Sequence, residues 1–171
     1  TVGGGGTVVS DTNFGTYFRP HPGGTLLMGG TEPACDELEW VEDPAVFDEH
    51  PTMEGFERIS LRVARRLPTL GLPHRPVGLA ALYDASDDWL PIYDRSSLEG
   101  FFMACGTSGN QFKNAPMAGR FMAALVEASE RGIDHDTTPI QVVGSHTGQP
   151  INLGAFSRLR DRAVTSGSVM G

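Results

Sequence analysis

Two runs near the start of the chain have strand character, Gly15-Thr16-Tyr17-Phe18-Arg19-Pro20 and Thr25-Leu26-Leu27-Met28-Gly29. His21-Pro22-Gly23-Gly24 lies between them, and its proline and glycines favour a tight reversal, so the pair predicts a β-hairpin. Val8-Val9 ahead of it is a short apolar stub. Thr31 to His50 is acidic and punctuated by proline, which predicts a surface loop. A helical period then begins: Met53, Phe56, Ile59, Val63 and Leu67 recur at spacings of three and four and share one face. Thr52 is placed to cap this helix and Glu54 suits its first turn. Arg62, Arg65 and Arg66 suit the negative end of the helix dipole, and Pro68 stops the helix.

Val77 to Tyr83 is a continuous apolar run of strand length, followed by a polar turn from Asp84 to Asp88. Apolar character resumes at Trp89-Leu90-Pro91-Ile92-Tyr93, and Gly100 opens a second buried run, Phe101-Phe102-Met103-Ala104-Cys105. Met117, Phe121, Ala124, Leu125 and Ala128 give a second helix its apolar face. Asn114 is its expected cap, Pro116 falls in its first turn and Gly132 is its C′ glycine. Ile133 to Gly171 reads as a tail with one short strand, Ile140 to Val143. The fold class that follows is α+β: an antiparallel or mixed sheet with helices near 52–67 and 115–131. The chain divides into a flexible start (1–14), a first portion (15–82), a second (83–131) and a C-terminal tail (132–171).

Composition narrows the function. The 171 residues are 39% hydrophobic and 20% charged, enough for a core. No stretch approaches the ~20 apolar residues of a membrane span, so no membrane partner is expected. A net charge of −8 argues against nucleic acid as a partner. Cys35 and Cys105, far apart, read as buried free thiols in a reducing cytoplasm rather than as a disulfide. The five histidines show no metal-ligand spacing. Gly3 to Gly6 precede a strand and no helix follows them, so they read as a flexible loop and not as a dinucleotide fingerprint. The start on Thr1, with no initiator Met and no signal peptide, predicts an excised or processed piece of a longer protein.

The segment Gly100 to Glu130 holds the candidate chemistry: a strand, then the loop Gly106-Thr107-Ser108-Gly109-Asn110-Gln111-Phe112-Lys113, then an amphipathic helix. This order directs free backbone N–H groups and a positive helix end into the mouth of the loop, where an anion or an electron-rich ring edge would bind. Lys113 adds a full positive charge. A plain strand–helix connection relieved by glycines satisfies the same pattern. Arg19, Tyr17 and Tyr83 are candidates to line a pocket, since an arginine beside aromatics can grip a carboxylate bidentately. As ordinary half-buried strand residues they would carry no such role. Asp84, Asp87 and Asp88 read as turn formers.

These segments, taken in order, resemble the C-terminal half of the D-amino-acid oxidase superfamily, which includes sarcosine oxidases, dimethylglycine dehydrogenases and glycine oxidases. Three stretches carry the resemblance: Tyr17-Phe18-Arg19-Pro20 with Gly24 to Glu32; Gly78 to Ile92, containing Leu82-Tyr83-Asp84, Asp88-Trp89 and Pro91-Ile92; and Gly100 to Gly119. The resemblance implies the C-terminal part of a two-domain flavoprotein lacking its N-terminal Rossmann half. Residues 15–82 would belong to the substrate domain and 83–131 would close the FAD domain. Gly106 to Phe112 would lie along the flavin's pyrimidine edge and ribityl chain, and the ADP half of FAD would bind residues outside this chain. Lys113 would bind a substrate carboxylate, and Tyr17 and Tyr83 would face the substrate cavity. The implied reaction is oxidation of a small amine or N-methyl amino acid. The implied partners are that substrate and either a second copy or a chain carrying the Rossmann half. Asn110-Gln111 replaces the family's usual His-Gly, Ala81 excludes a covalent flavin bond at its position, and Leu27 lies near where an oxygen-activating lysine occurs. A non-catalytic module that binds a small molecule or a subunit is the alternative.

Overall fold

The hairpin forms as the pattern requires. In the computed structural model, which describes residues 6–169, strand β2 (Thr16–His21) pairs antiparallel with β3 (Thr25–Gly30), with Phe18 opposite Met28 and Arg19 opposite Leu27. The stub Val8-Val9 extends into strand β1 (Val9–Asp11), which adds to the other edge of β2. Side chains alternate across the sheet, so Thr16 and Phe18 are buried on one face while Tyr17 and Arg19 are half-buried on the other. Of the glycine run, Gly3 to Gly5 fall outside the described residues.

Helix α1 (Met53–Ala64) starts on Thr52, whose hydroxyl accepts the Gly55 N–H at 3.1 Å. It ends one turn before Leu67: the N–H groups of Arg66 and Leu67 both return to the Val63 carbonyl. The proline ring of Pro68 disfavours α geometry at Leu67, which explains the early stop. Val63 and Ser60 are its buried residues, while Met53 is exposed. The C-terminal arginines do more than suit a dipole. Arg62 grips both oxygens of Asp36 (2.7 and 2.5 Å), pinning the acidic loop to the helix. Arg66 pairs with Asp11 of β1. Each arginine holds its partner's carboxyl below the usual carboxylate range. The apolar run Val77 to Tyr83, strand-like by composition, is not a strand. Among the described residues no segment pairs with it as a ladder, and Val77 and Leu79 stand 85% and 78% exposed.

The chain divides into two units, Thr1–Leu82 and Tyr83–Gly171. In the second, β4 (Ile92–Arg95) and β5 (Phe102–Cys105) pair antiparallel with Tyr93 opposite Ala104. The run before the loop is only half-buried, and Ala104 is exposed. Helix α2 (Ala115–Glu130) packs on both strands through Met117, Phe121 and Leu125. At its end the Ile133 N–H reaches the Ala128 carbonyl and the Gly132 N–H that of Ser129, the paired bonds of a Schellman cap on a left-handed glycine.

The stretch after Gly132 is not a tail. It forms the hairpin β6 (Gln141–Val143) and β7 (Pro150–Asn152) and a 3-10 turn at Leu153–Phe156. Val142 and Leu153 join Tyr93, Phe121 and Leu125 in one buried cluster, closed by Phe156 against the rings of Tyr93 and Phe121 at 5.4 and 5.6 Å. Full burial of Leu125 and Leu153 contributes about 1.5–3 kcal/mol each. The fold class is α+β, with small antiparallel sheets and flanking helices. Among the described residues no helix is long and apolar enough to cross a membrane.

Candidate functional site

The loop Gly106 to Lys113 is braced from behind by the turn that precedes β4. The Asp84 carboxylate accepts the Gly106 N–H (2.6 Å), the Thr107 N–H (3.1 Å) and the Thr107 hydroxyl (2.7 Å), and its carbonyl accepts the Ser108 N–H at 2.8 Å. Burial raises its pKa, but the bonds from Thr107 and Gly106 outweigh that and hold the carboxyl below its ordinary value. The sequence reading of Asp84 as a turn former, and of the loop as a row of free N–H groups, is therefore corrected. A carboxylate already fills the first half of the loop. The bonds span 22 and 23 positions, so local pattern could not reveal them; the one signal was the place of Asp84 inside the Leu82-Tyr83-Asp84 motif.

Ser108 sits at φ 50 in the left-handed region, fully buried, with its hydroxyl on the Gly106 carbonyl. Trp89, at φ 61, is a second non-glycine residue held there in the bracing turn. Such backbone costs of order 1–3 kcal/mol and persists only where the surroundings over-determine it. Here Ser86 provides that support, donating its hydroxyl to the Leu90 carbonyl (2.6 Å) and to Asp88. Asp88 is in turn clamped by Arg160 at 2.6 and 2.9 Å. Asp87 pairs with Arg162 at the surface. The three aspartates are thus anchors for the loop and for the C-terminal segment.

The far half of the loop is open. The N–H groups of Gly109, Gln111 and Phe112 donate to no acceptor among the described residues. Gly109 lies at φ 74 with the Tyr83 ring so close that an added Cβ would sit 3.1 Å from it, and Tyr83 packs edge-on to Trp89 at 6.3 Å. The Gln111 side chain is fixed by Tyr93, Asn110 and Asn114. Asn114 is not a side-chain cap: the 3-10 turn Phe112–Asn114 runs straight into α2, so its backbone is already helical and its amide turns to Gln111. Phe112 is 98% exposed. Lys113 is exposed, with its ammonium on the Asn110 carbonyl at 2.8 Å. This half of the loop therefore carries one cation, at Lys113, and three N–H donors without an acceptor among the described residues, with the Tyr83 ring packed against Gly109. This arrangement can hold an anion or stabilise charge developing on a ring edge.

Tyr17 and Arg19 belong to the first unit and share one face of its sheet. The Tyr17 ring crosses onto Gly29, where an added Cβ would meet it at 2.5 Å. Arg19 directs a guanidinium N–H at the Pro20 carbonyl, 3.3 Å away. The thiols depart from expectation: both are free, but Cys35 is exposed and Cys105 half-buried. Burial and the nearby Asp84 push the Cys105 thiol pKa up.

Asp84→Ala is expected to leave the chain folded and to loosen the loop, since hydrogen bonds to a charged acceptor contribute about 1.5–3 kcal/mol each when sheltered and less at this exposed position. Amide exchange of Gly106, Thr107 and Ser108 should accelerate by about tenfold or more. Unchanged protection would show that the glycine turn holds itself.

A family model described as FAD dependent oxidoreductase matches residues 2–125. No curated protein and no solved structure matches the chain.

Proposed function

Because the chain belongs to the FAD dependent oxidoreductase family, we propose that it is the C-terminal part of a flavoprotein oxidising a small amine or N-methyl amino acid of the sarcosine or dimethylglycine kind. The open half of the loop carries this reading, with its three N–H donors beside Lys113. Those donors fit the pyrimidine edge of a flavin, and at Gly109 the Tyr83 ring and Val169 already pack where a side chain would begin. When bound, FAD supplies the acceptor for a hydride leaving the carbon beside the substrate amine. Gly109, Gln111 and Phe112 would hold the flavin edge and favour negative charge there, oriented in advance by Asp84 and Ser108. Lys113 would exchange its bond to the Asn110 carbonyl for one to a substrate carboxylate, and Tyr83 would wall the cavity. Tyr17 and Arg19 are proposed as substrate-facing residues of the first unit, Arg19 as a carboxylate contact.

The ADP half of the cofactor is assigned to residues beyond this chain, either in a longer polypeptide or in a partner. Self-association is the other proposed use of exposed apolar surface, and Val77 and Leu79 supply such surface. The same surface favours the second reading, a non-catalytic module that binds a subunit. A cytoplasmic location is proposed from the two free thiols.

The test is Lys113→Met in the complete flavoprotein. A charge-assisted bond of about 1.5–3 kcal/mol predicts that KM rises roughly 10–100-fold for sarcosine and stays within about twofold for dimethylamine. Equal effects on both would remove the carboxylate role from Lys113. Failure of the complete protein to show flavin absorbance with added FAD would leave the binding-module reading.

A further inference from the structure

Helix α1 presents Arg58 and Arg62, and Arg65 at its C-cap, toward an open cleft of about 380 Å³, within the size range of small-molecule sites. Phe14 and Leu61 make its apolar floor and Cys35 lies on its wall. The charges do not balance. Only one carboxylate answers the three guanidiniums, and Arg62 occupies both of its oxygens. Arg58 Nε stands 3.9 Å from that same Asp36, beyond hydrogen-bond range, and is buried without a partner. Arg65 has no carboxylate partner among the described residues and stacks over Phe14 with its guanidinium 5.4 Å from the ring centre. In a chain with a net charge of −8, three arginines sharing one carboxylate leave an excess of positive charge lining the cleft, beside a Phe14 ring that Arg66 also covers at 4.6 Å.

We propose that this cleft is a second binding site, separate from the Lys113 loop, for a small organic anion. Its carboxylate or phosphate would be gripped by Arg58 and Arg65, and its apolar body would lie on Phe14 and Leu61. A guanidinium already stacked on an aromatic face is held in place for an oxyanion, so less freedom is lost on binding. The apolar floor distinguishes such a ligand from a bare inorganic ion.

Cys35 reports on the cleft directly. In the intact chain, its alkylation is followed by mass spectrometry with iodoacetate and iodoacetamide. Accumulation of anions by the arginines predicts that the iodoacetate-to-iodoacetamide rate ratio at Cys35 falls about tenfold in R58Q/R65Q. The single R65Q variant, changed only at an exposed side chain, should show part of that fall. 3-Phenylpropionate and phenyl phosphate should each slow Cys35 alkylation saturably in the wild-type chain, while 3-phenylpropanol and inorganic phosphate should not. Protection by only one of the two probes identifies which oxyanion is preferred and supports the site. Persistence of protection in Lys113→Met separates it from the loop, whose failure would leave this result untouched. An unchanged ratio in both variants, protection equal for inorganic phosphate, or protection by neither probe would overturn the proposal.

Discussion

Replacing Asp94 by Ala is expected to cost about 3–5 kcal/mol of stability, the usual consequence of removing one partner from a buried ion pair. Asp94 has no solvent exposure and lies on β4 in the centre of its unit. One of its oxygens accepts the Ser157 hydroxyl (2.9 Å), the Arg158 N–H (2.8 Å) and the Arg158 guanidinium (3.1 Å). The other accepts the Arg95 N–H at 2.7 Å and faces the buried His135 ring at 4.0 Å. Arg158 continues to Asp136, and Asp136 to Arg95, so the deletion unbalances a network rather than a pair. A loss of this size lowers the Tm by roughly 12 °C or more for a unit of this length. Urea unfolding of the whole chain checks it. A change below about 1 kcal/mol, the range of exposed ion pairs, would mean that water reaches Asp94 in solution.

Arg160→Ala should destabilise by a similar amount, about 3–5 kcal/mol, and its pH dependence gives it a signature. Arg160 closes on Asp88 with two bonds and also holds the carbonyls of Leu90 and Ser157. Without it, a buried carboxylate keeps only the N–H groups of Leu90 and Ala163 and the Ser86 hydroxyl. The guanidinium first, with those backbone bonds, holds the Asp88 carboxyl far below its ordinary value despite burial. Because the folded-state pKa is depressed, this stabilisation is fully present above the unfolded value near pH 4 and is lost as pH falls toward the folded value. The gap between wild type and variant should therefore be widest near neutrality and narrow below about pH 4. A gap independent of pH would assign the loss to packing of the arginine stem instead.

The elements legible in the sequence are set by neighbouring residues; those set by distant ones were not legible. The β2–β3 hairpin, the Thr52 cap and the Gly132 stop depend on residues within a few positions of one another, and each stands where the pattern puts it. Val77 to Tyr83 has strand composition, but a strand also needs a partner edge, which composition does not supply. The segment after Gly132 reads as a tail because its apolar residues are few and scattered. Its place in the core comes from Val142, Leu153 and Phe156 meeting α2 and β4 across long separations. The loop itself was recognisable from its glycines and Lys113, whereas its bracing by Asp84, Ser86 and Asp88 was hidden. Aspartates in a turn look the same whether they shape that turn or receive arginines some 70 positions later.

That distance also has a meaning in time. Asp94 and the Arg158 N–H that bonds its carboxylate are 64 positions apart. At translation rates of about 5–20 residues per second, Asp94 leaves the ribosome roughly 3–13 s before its counterion does. During that interval β4 has its neighbour β5 but a carboxylate that favours water over the interior. Burying Asp94 before Arg158 arrives leaves a charge without its counterion, at a cost of several kcal/mol, so early closure of the second unit is disfavoured.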